Sequence, residues 1–214
     1  MEKYNELYES ILHGDMGGAV KVTEKAIAEG EVDPKSLIDD YMTPAMEEVG
    51  RRFERQEAFV PELLMAGRAM KGALEILKPA LQGQSSSYLG RIVMGTVKGD
   101  LHDIGKNLVA SMLEGCGFEV INLGTDVSTE KFVEVVRNNQ VDILGMSALL
   151  TTTMSYMKEV IEALKAEGLR DRIKIMVGGA PVTEEFARQI GADGYSDNAN
   201  TAVALAKQLI RNGN

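Results

Sequence analysis

The sequence predicts an all-helical domain followed by an α/β domain built on a doubly wound parallel sheet. Residues 1–81 show helical hydrophobic periodicity almost throughout, without strand-like alternation. After residue 85 the pattern changes to short β-branched runs separated by helical segments, which is typical of βαβ units. A length of 214 residues with 44% apolar residues is enough for two small domains, each with its own core.

The amino-terminal segment is predicted to form a bundle of four helices. One apolar stripe at helical spacing consists of Tyr4, Leu7, Tyr8, Ile11 and Leu12. Breaks fall at HGDMGG, EGEVDP and RQEAFVP, where Gly, Pro and charged residues favour turns. The polar stretch QGQSSSYLG has the composition of a linker. We therefore expect a helical domain over 1–84, a linker over 85–90 and a second domain over 91–214.

The second domain is predicted to contain five strands. They are RIVMGTV, FEVINLG, DILGMS, KIMVGG and a weaker run at GADGYSD. In doubly wound sheets, ligands bind outside the carboxyl ends of the strands. The segments KGDLHDIG, GTDV, SALLTTT and GGAPVT follow the first four strands, and all are rich in Gly, Ser, Thr or Asp. A binding site is therefore expected at this edge of the sheet.

Composition and charge narrow the possible partners and compartments. A formal net charge of −9 repels nucleic-acid phosphates and anionic lipids. The apolar runs are short, and the start MEKYNELYES is too charged for a signal peptide. Cys116 is the only cysteine, which excludes an internal disulfide and fits a reducing compartment. We expect a soluble, cytoplasmic protein with no nucleic-acid and no membrane partner.

The stretch KGDLHDIGKN places one of only two histidines, His102, between carboxylates at the exit of the first strand. Taken alone, it leaves several interpretations open. A dinucleotide site is disfavoured because the glycine spacing does not match G-x-G-x-x-G. A catalytic triad with Ser147 lacks the G-x-S-x-G elbow, and a structural zinc site needs more ligands. An ordinary loop histidine, with Asp103 capping the next helix, remains a simple alternative.

Three short motifs lie at the carboxyl ends of predicted strands. They are D-x-H-x-x-G at Asp100, His102 and Gly105, S-x-L at Ser147 and Leu149, and G-G at Gly178 and Gly179. This series resembles the cobalamin-binding module of methionine synthase and the corrinoid proteins of methylamine, methanol and betaine methyltransferase systems. The segment 53–79 resembles the end of the helical cap that precedes the module, so the resemblance covers nearly the whole chain. It implies a four-helix cap and a Rossmann-like, flavodoxin-type sheet of five parallel strands.

The resemblance also implies a cofactor and its ligand. The cofactor is cobalamin or a related corrinoid, in the methylcobalamin and cob(I)alamin forms, with its lower base displaced from cobalt. His102 is implied to be the lower axial cobalt ligand, and Asp100 to hydrogen-bond the other ring nitrogen, as carboxylates do beside metal-bound imidazoles. A hydroxyl is implied to complete this relay, and Thr153 occupies its position, with Thr151 close by.

The other cofactor-binding residues follow from the same resemblance. Those around the displaced nucleotide tail are Asp103, Gly105, Ser147, Leu149, Thr151, Gly178 and Gly179. In the cap, Phe53, Val60 and Leu63 are implied to shield the methyl group from water, although core packing explains all three equally well.

The function implied is that of a corrinoid methyl carrier. Its Co(I) form accepts a methyl group from a substrate-specific methyltransferase. It then hands the group on, as methyl-Co(III), to a second methyltransferase whose acceptor is a thiol or tetrahydrofolate. A reductive activation protein is a further expected partner. The chain is expected to be a carrier subunit of a multi-component system, because the cofactor supplies the chemistry.

Two alternatives belong to other classes of cobalamin protein. A cobalamin subunit of a radical mutase shares the histidine motif but does not need a methyl-shielding cap. A cobalamin-binding sensor is disfavoured because the chain contains no tryptophan and offers no room for a signalling domain.

Overall fold

The computed structural model describes residues 4–81 and 88–211. The chain divides into two compact units at Tyr88, and the segment 111–117 groups with the first. Part of the predicted linker, residues 85–87, lies outside the described residues, so the boundaries 1–84, 85–90 and 91–214 stay predictions. No helix within the described ranges is long and apolar enough to cross a membrane.

The first unit contains the predicted bundle. Its helices are α1 (Asn5–Leu12), α2 (Met16–Glu29), α3 (Pro34–Leu37), α4 (Thr43–Glu54) and α5 (Val60–Leu77). A π-helical segment, Ile38–Met42, joins α3 to α4 without interruption, and a 3₁₀ turn, Lys78–Leu81, follows α5. With α3 to α4 counted as one continuous helix, the described part of this unit has the four helices that the sequence predicts.

The breaks between these helices have local causes. Asp15 caps α2 by accepting a hydrogen bond from the Gly18 N–H at 3.0 Å. Gly30 ends α2 in the left-handed conformation, with φ 64°. Before α5, the Phe59 N–H donates to the Glu62 carboxylate at 2.9 Å, which is the reciprocal bond of a capping box.

The second unit is a five-stranded parallel sheet with helices on both faces. Its strands are β1 (Arg91–Thr96), β2 (Glu119–Asn122), β3 (Ile143–Ser147), β4 (Lys174–Gly178) and β5 (Gly194–Ser196). Its helices are the first part of α6 (Ile104–Gly115), whose last residues group with the first unit, and α7 (Thr129–Asn138), α8 (Ser155–Ala166), α9 (Glu184–Ile190) and α10 (Ala199–Arg211). The strand order is β2-β1-β3-β4-β5, so the predicted fold class is confirmed.

Alternation along the central strands separates two faces of the sheet. One face carries Leu144 and Val177 into a continuous apolar core with residues of α7 and α8, such as Phe132 and Val160. The opposite face carries Met94, Gly145 and Met176, since residues two apart share a face. β1 is buried along almost its whole length, which explains why its sequence reads as a continuous apolar run rather than an alternation.

The strand order fixes where a ligand site is expected. From β1 the chain crosses outward to β2 and then back past β1 to β3, so the topological switch point lies between β1 and β3. The loops that follow these two strands contain the D-x-H-x-x-G and S-x-L motifs. The fold therefore brings the two motifs to the crevice where doubly wound sheets bind ligands.

Candidate functional site

Asp100 is the centre of a hydrogen-bond network at the switch point. Its side chain is fully buried, and Oδ2 accepts bonds from the Leu149 N–H at 2.7 Å, the Leu150 N–H at 3.2 Å and the Thr153 hydroxyl at 2.9 Å. Oδ1 accepts from the His102 N–H at 3.1 Å and from His102 Nδ1 at 2.8 Å. One carboxylate thus joins the loop after β1 to the loop after β3.

These bonds keep the Asp100 carboxylate ionised. Burial by itself disfavours the charge, but the hydrogen bonds from Leu149, His102 and Thr153 outweigh it and hold the pKa of the Asp100 carboxyl well below its usual range. A negative acceptor at 2.8 Å fixes the proton of His102 on Nδ1. The second ring nitrogen, Nε2, is then left with its lone pair available to a metal.

The His102 ring is also accessible. Its side chain is 52% exposed, and within residues 4–81 and 88–211 Nε2 has no hydrogen-bond partner. No three His, Cys, Asp or Glu side chains of the described residues are placed to hold a metal ion together. The geometry therefore offers a single imidazole nitrogen to a ligand.

The two candidate hydroxyls differ in their placement. Thr153 is 5% exposed, and its Oγ1 lies 2.9 Å from both Asp100 Oδ2 and the Leu150 carbonyl. Thr151 is exposed and forms no side-chain hydrogen bond within the described part of the chain. The structure therefore brings Thr153, and not Thr151, to the carboxylate.

Two residues outside the predicted set position the loop of His102. The Thr96 hydroxyl donates to the His102 carbonyl at 2.9 Å from the end of β1. Asp126, in the loop after β2, accepts from the Gly99 N–H at 2.7 Å and donates its own N–H to the Asp100 carbonyl at 3.0 Å. Asp126 has a φ of 51°, a left-handed conformation that Asp and Asn adopt more readily than other non-glycine residues.

We expect Asp126→Ala to loosen the loop that contains His102. Alanine removes the bond to Gly99 and is strained at positive φ, so the unfolding free energy should fall by about 1–2 kcal/mol. Asp126→Asn keeps both the acceptor and the tolerance for this φ and should stay near the parent. Asp126→Gly removes only the side chain and should lie between them. Urea unfolding gives the unfolding free energies of the three variants, and hydrogen exchange at the Gly99 amide reports on its hydrogen bond. Equal unfolding free energies for Asp126→Gly and Asp126→Asn would contradict a stabilising role of the Asp126 side chain.

A slot opens beside His102 on the face of the sheet that carries Gly145. It has a volume of about 600 Å³ and runs between the sheet and the beginnings of α6 and α10. Most of its lining is apolar, including Met94, Leu108, Val109, Gly145 and Met176. The predicted residues that line it are His102, Asp103, Gly105, Ser147, Leu149, Gly178 and Gly179.

The three motif glycines differ in whether the surrounding protein leaves room for a side chain. Gly179 has a φ of 126°, and a Cβ there would overlap the Ala148 carbonyl, so the backbone itself requires glycine. A Cβ on Gly178 would lie 2.9 Å from the Ser196 carbonyl oxygen. Gly105 has ordinary helical φ, and a Cβ there would meet nothing within 4 Å. No neighbouring atom of the described residues therefore requires glycine at position 105.

The surface around His102 is apolar as well. Four aliphatic side chains in the loops after β1 and β3 are strongly exposed, namely Leu101, Ile104, Leu149 and Leu150, with 74%, 86%, 43% and 41% exposure. Clustered exposed aliphatic side chains usually mark a binding surface. An imidazole with a free nitrogen at the centre of such a surface suits a flat, largely apolar ligand that contains a metal.

The remaining predicted residues lie in the first unit. Phe53 is half-buried in the last turn of α4, and Val60 is half-buried at the start of α5. Leu63 is 2% exposed in α5, as a core residue of the bundle would be. Their role in covering a methyl group stays a prediction.

The fold and the site together define a cofactor-binding protein that presents one carboxylate-held imidazole beside an apolar slot. Comparison with known proteins also indicates a cofactor-binding protein. Residues 90–204 match the family model described as a B12 binding domain, and residues 4–78 match a second model with the same description.

Relatives match over the whole chain. A dimethylamine corrinoid protein of Methanosarcina barkeri is 47% identical over 98% of this chain and 98% of its own length. Trimethylamine corrinoid protein 2 of Methanosarcina mazei is 45% identical, over 95% of this chain and 94% of its own. The crystal structure of a methanol:cobalamin methyltransferase complex from Methanosarcina barkeri superposes with a TM-score of 0.86 at 32% identity, covering 98% of this chain and 80% of that one. The chain belongs to the B12-binding corrinoid proteins, which confirms the resemblance drawn from its motifs.

Proposed function

We propose that this protein carries a methyl group on a corrinoid whose cobalt is held from below by His102. The observation that carries the proposal is the His102 Nδ1 to Asp100 Oδ1 bond of 2.8 Å, with Nε2 free at the switch point. A neutral imidazole oriented by a buried carboxylate is a good ligand for cobalt. A corrinoid brings its four equatorial ligands with it and needs one such nitrogen from the protein.

The volume and lining of the slot favour a corrinoid with a nucleotide tail as the ligand. If His102 takes the lower axial position, the cofactor's own lower base must lie elsewhere. The slot is lined by His102 itself, is mainly apolar and has a volume within the range of small-molecule sites. Gly105 is part of its lining, and a Cβ there would meet no neighbouring atom within 4 Å. We therefore assign the slot to the displaced base and its ribose.

Bound corrinoid supplies the chemistry, since its reduced cobalt takes up a methyl group from a donor and later gives it to an acceptor. The residues of this chain hold and adjust it. Asp100 would fix the Nδ1 tautomer of His102 and orient the ring toward the metal. Thr153 and the Leu149 and Leu150 amides hold Asp100 in place.

The carrier function requires partner enzymes. We propose that a substrate-specific methyltransferase loads the protein, that a second one with a thiol or tetrahydrofolate acceptor unloads it, and that a reductive activation protein restores the reduced cobalt. The relatives named for dimethylamine and trimethylamine support a methylamine as the donor. Methylation of the reduced holoprotein by a dimethylamine-specific methyltransferase, followed in the visible spectrum, tests this donor.

The binding site itself is tested with Gly105→Leu. The side chain should enter the slot and weaken uptake of cobalamin about tenfold or more, as overpacking of a filled cavity does. Stability of the apo-protein should be unchanged or slightly raised, because Leu favours the helix and its Cβ meets no neighbouring atom. Titration of apo-protein with aquocobalamin, followed by absorbance, gives the affinity.

The matched control is Gly17→Leu, which changes the second residue of α2 just as Gly105→Leu changes the second residue of α6. Gly17 is exposed and lies in the first unit. Its variant should bind cobalamin like the parent. Unchanged affinity of Gly105→Leu would show that the nucleotide tail does not enter the slot.

A further inference from the structure

The slot has two chemically different levels, set by the register of the sheet. The row nearest its mouth consists of Thr96, Ser147, Gly178 and Ser196, paired across β1, β3, β4 and β5. Two residues deeper, the row is Met94, Gly145, Met176 and Gly194. The mouth therefore offers hydroxyls, whereas the floor is made of thioethers and glycine.

The mouth holds a hydroxyl that the fold leaves without a partner. Ser196 lines the slot, is 8% exposed and has no side-chain hydrogen bond within residues 4–81 and 88–211. Ser147, two strands away in the same row, is likewise unbonded through its hydroxyl in the described chain. Ser196 and Ser147 therefore leave two hydroxyls at the mouth available to polar atoms of a ligand in the slot.

The floor offers no comparable polar group. Met94 and Met176 are 4% and 3% exposed, and a Cβ on Gly145 would overlap the Met94 sulfur, so Met94 lies across that glycine. Thioether sulfur is a weak hydrogen-bond acceptor and no donor. An aromatic ring packed against Met94 and Met176 gains favourable contacts with both sulfurs. A hydrogen-bond donor placed there loses its water without replacement.

One cation, Lys106, lines the slot, and its ammonium is already bound. Lys106 Nζ donates to Asn107 Oδ1 at 2.6 Å and to Asn122 Oδ1 at 2.7 Å. Asn122 belongs to β2 and pairs with Met94, so Met94 of β1 lies between it and Gly145 of β3 in the same row. The Lys106 ammonium is thus satisfied by two amide oxygens, one of them on the edge strand β2.

We infer that the slot selects corrinoids whose lower base is a benzimidazole over those whose lower base is adenine. The inference rests on the proposed function, and specifically on the assignment of the slot to the displaced base. The base is joined to its ribose through its five-membered ring, so that ring lies nearer the mouth and the six-membered ring reaches the floor. Ser196 and Ser147 then face the free ring nitrogen, and Met94 and Met176 face the six-membered ring.

The two bases differ where the floor is apolar. The six-membered ring of dimethylbenzimidazole carries only C–H and methyl groups. That of adenine carries two ring nitrogens and an exocyclic amine, which would be buried against thioethers. Leaving one such group unpaired costs enough to weaken binding about tenfold or more.

The experiment compares three corrinoids on the full-length apo-protein. Cobalamin contains dimethylbenzimidazole, adeninylcobamide contains adenine, and cobinamide has no base. We expect cobalamin to bind at least about tenfold more tightly than adeninylcobamide, measured as dissociation constants by absorbance titration or equilibrium dialysis. Equal affinities for these two would overturn the inference while leaving the carrier function intact. Failure of all three to bind would instead remove the proposed function.

Two variants test which residues cause the preference for a benzimidazole base over adenine. Met176→Gln places an amide at the floor and should bring the affinity ratio of cobalamin to adeninylcobamide toward one. Ser196→Ala should weaken cobalamin about three- to tenfold and leave cobinamide unchanged, since cobinamide has no base for the hydroxyl to contact. Unchanged cobinamide binding also shows that each variant is folded. A ratio that Met176→Gln does not alter, or a cobalamin affinity that Ser196→Ala does not alter, would refute the corresponding role.

Discussion

Asp100→Asn is expected both to abolish coordination of cobalt by His102 and to destabilise the apo-protein. The amide oxygen of the new side chain should turn toward the three donors of the loop after β3, Leu149 N–H, Leu150 N–H and Thr153 Oγ1. Its amide nitrogen then faces His102 Nδ1, which must become an acceptor. The proton moves to Nε2, and the ring can no longer coordinate cobalt. Loss of an oriented carboxylate beside a metal-bound histidine typically costs 10–100-fold in affinity, so cobalamin uptake should fall by about that factor.

The stability loss has a pH dependence that identifies its source. In the folded protein the pKa of Asp100 lies below its ordinary value of about 3.9, so its ionisation stabilises the fold fully above that value. The contribution is lost as pH falls through the lower, folded-state pKa. The difference in unfolding free energy between parent and Asp100→Asn should therefore be constant near neutral pH, at about 2–4 kcal/mol, and shrink below about pH 4.

Urea unfolding of the apo-protein at several pH values measures this difference. Thr153→Val, which removes one donor to the carboxylate, should show a smaller loss of about 1 kcal/mol. Thr151→Val is the matched control, because Thr151 is exposed and two positions away. A difference for Asp100→Asn that persists unchanged at pH 3 would mean that the charge of Asp100 is not what stabilises the network.

The sequence predicts the framework of this site because local patterns set it. Apolar runs bounded by Gly and Asp place each strand within one to three residues of its observed ends, and the carboxyl ends of parallel strands must share an edge. The pairing of Asp100 with His102 is implied by the resemblance of the motif, and the two residues lie two positions apart in one loop. These features need no knowledge of long-range contacts.

The residues that sequence reasoning misses depend on register and loop geometry. Asp126 reaches the loop of His102 only because β2 pairs with β1, although it lies in the GTDV segment already singled out by its position after a strand. Ser196 ends the weakest of the five predicted strands, and only the β4 to β5 pairing places it opposite Gly178. For the relay hydroxyl, the resemblance already implies Thr153, and the turn after β3 brings its hydroxyl to Asp100.

His102→Ala is expected to separate cofactor coordination from folding. The His102 side chain is half exposed and, among the described residues, makes one hydrogen bond, so the apo-protein should lose no more than about 1–2 kcal/mol. Bound cobalamin should lose its nitrogen lower ligand, and its affinity should fall at least about tenfold. The Co(II) form reports this directly, because an axial imidazole nitrogen splits its EPR lines. Methyl transfer should slow by at least about tenfold, since the ligand no longer adjusts the cobalt.

Rescue by free imidazole distinguishes loss of a ligand from general damage. The space vacated by the His102 ring lies next to Asp100 Oδ1, which still accepts the backbone N–H at position 102 and has room for an imidazole N–H. Added imidazole should therefore restore the nitrogen splitting and part of the transfer rate in His102→Ala. The matched control is His13→Ala, which changes the other histidine, an exposed residue following α1. If the nitrogen splitting remained in His102→Ala without added imidazole, some other group would be the cobalt ligand, and the role assigned to the Asp100 network would fall with it.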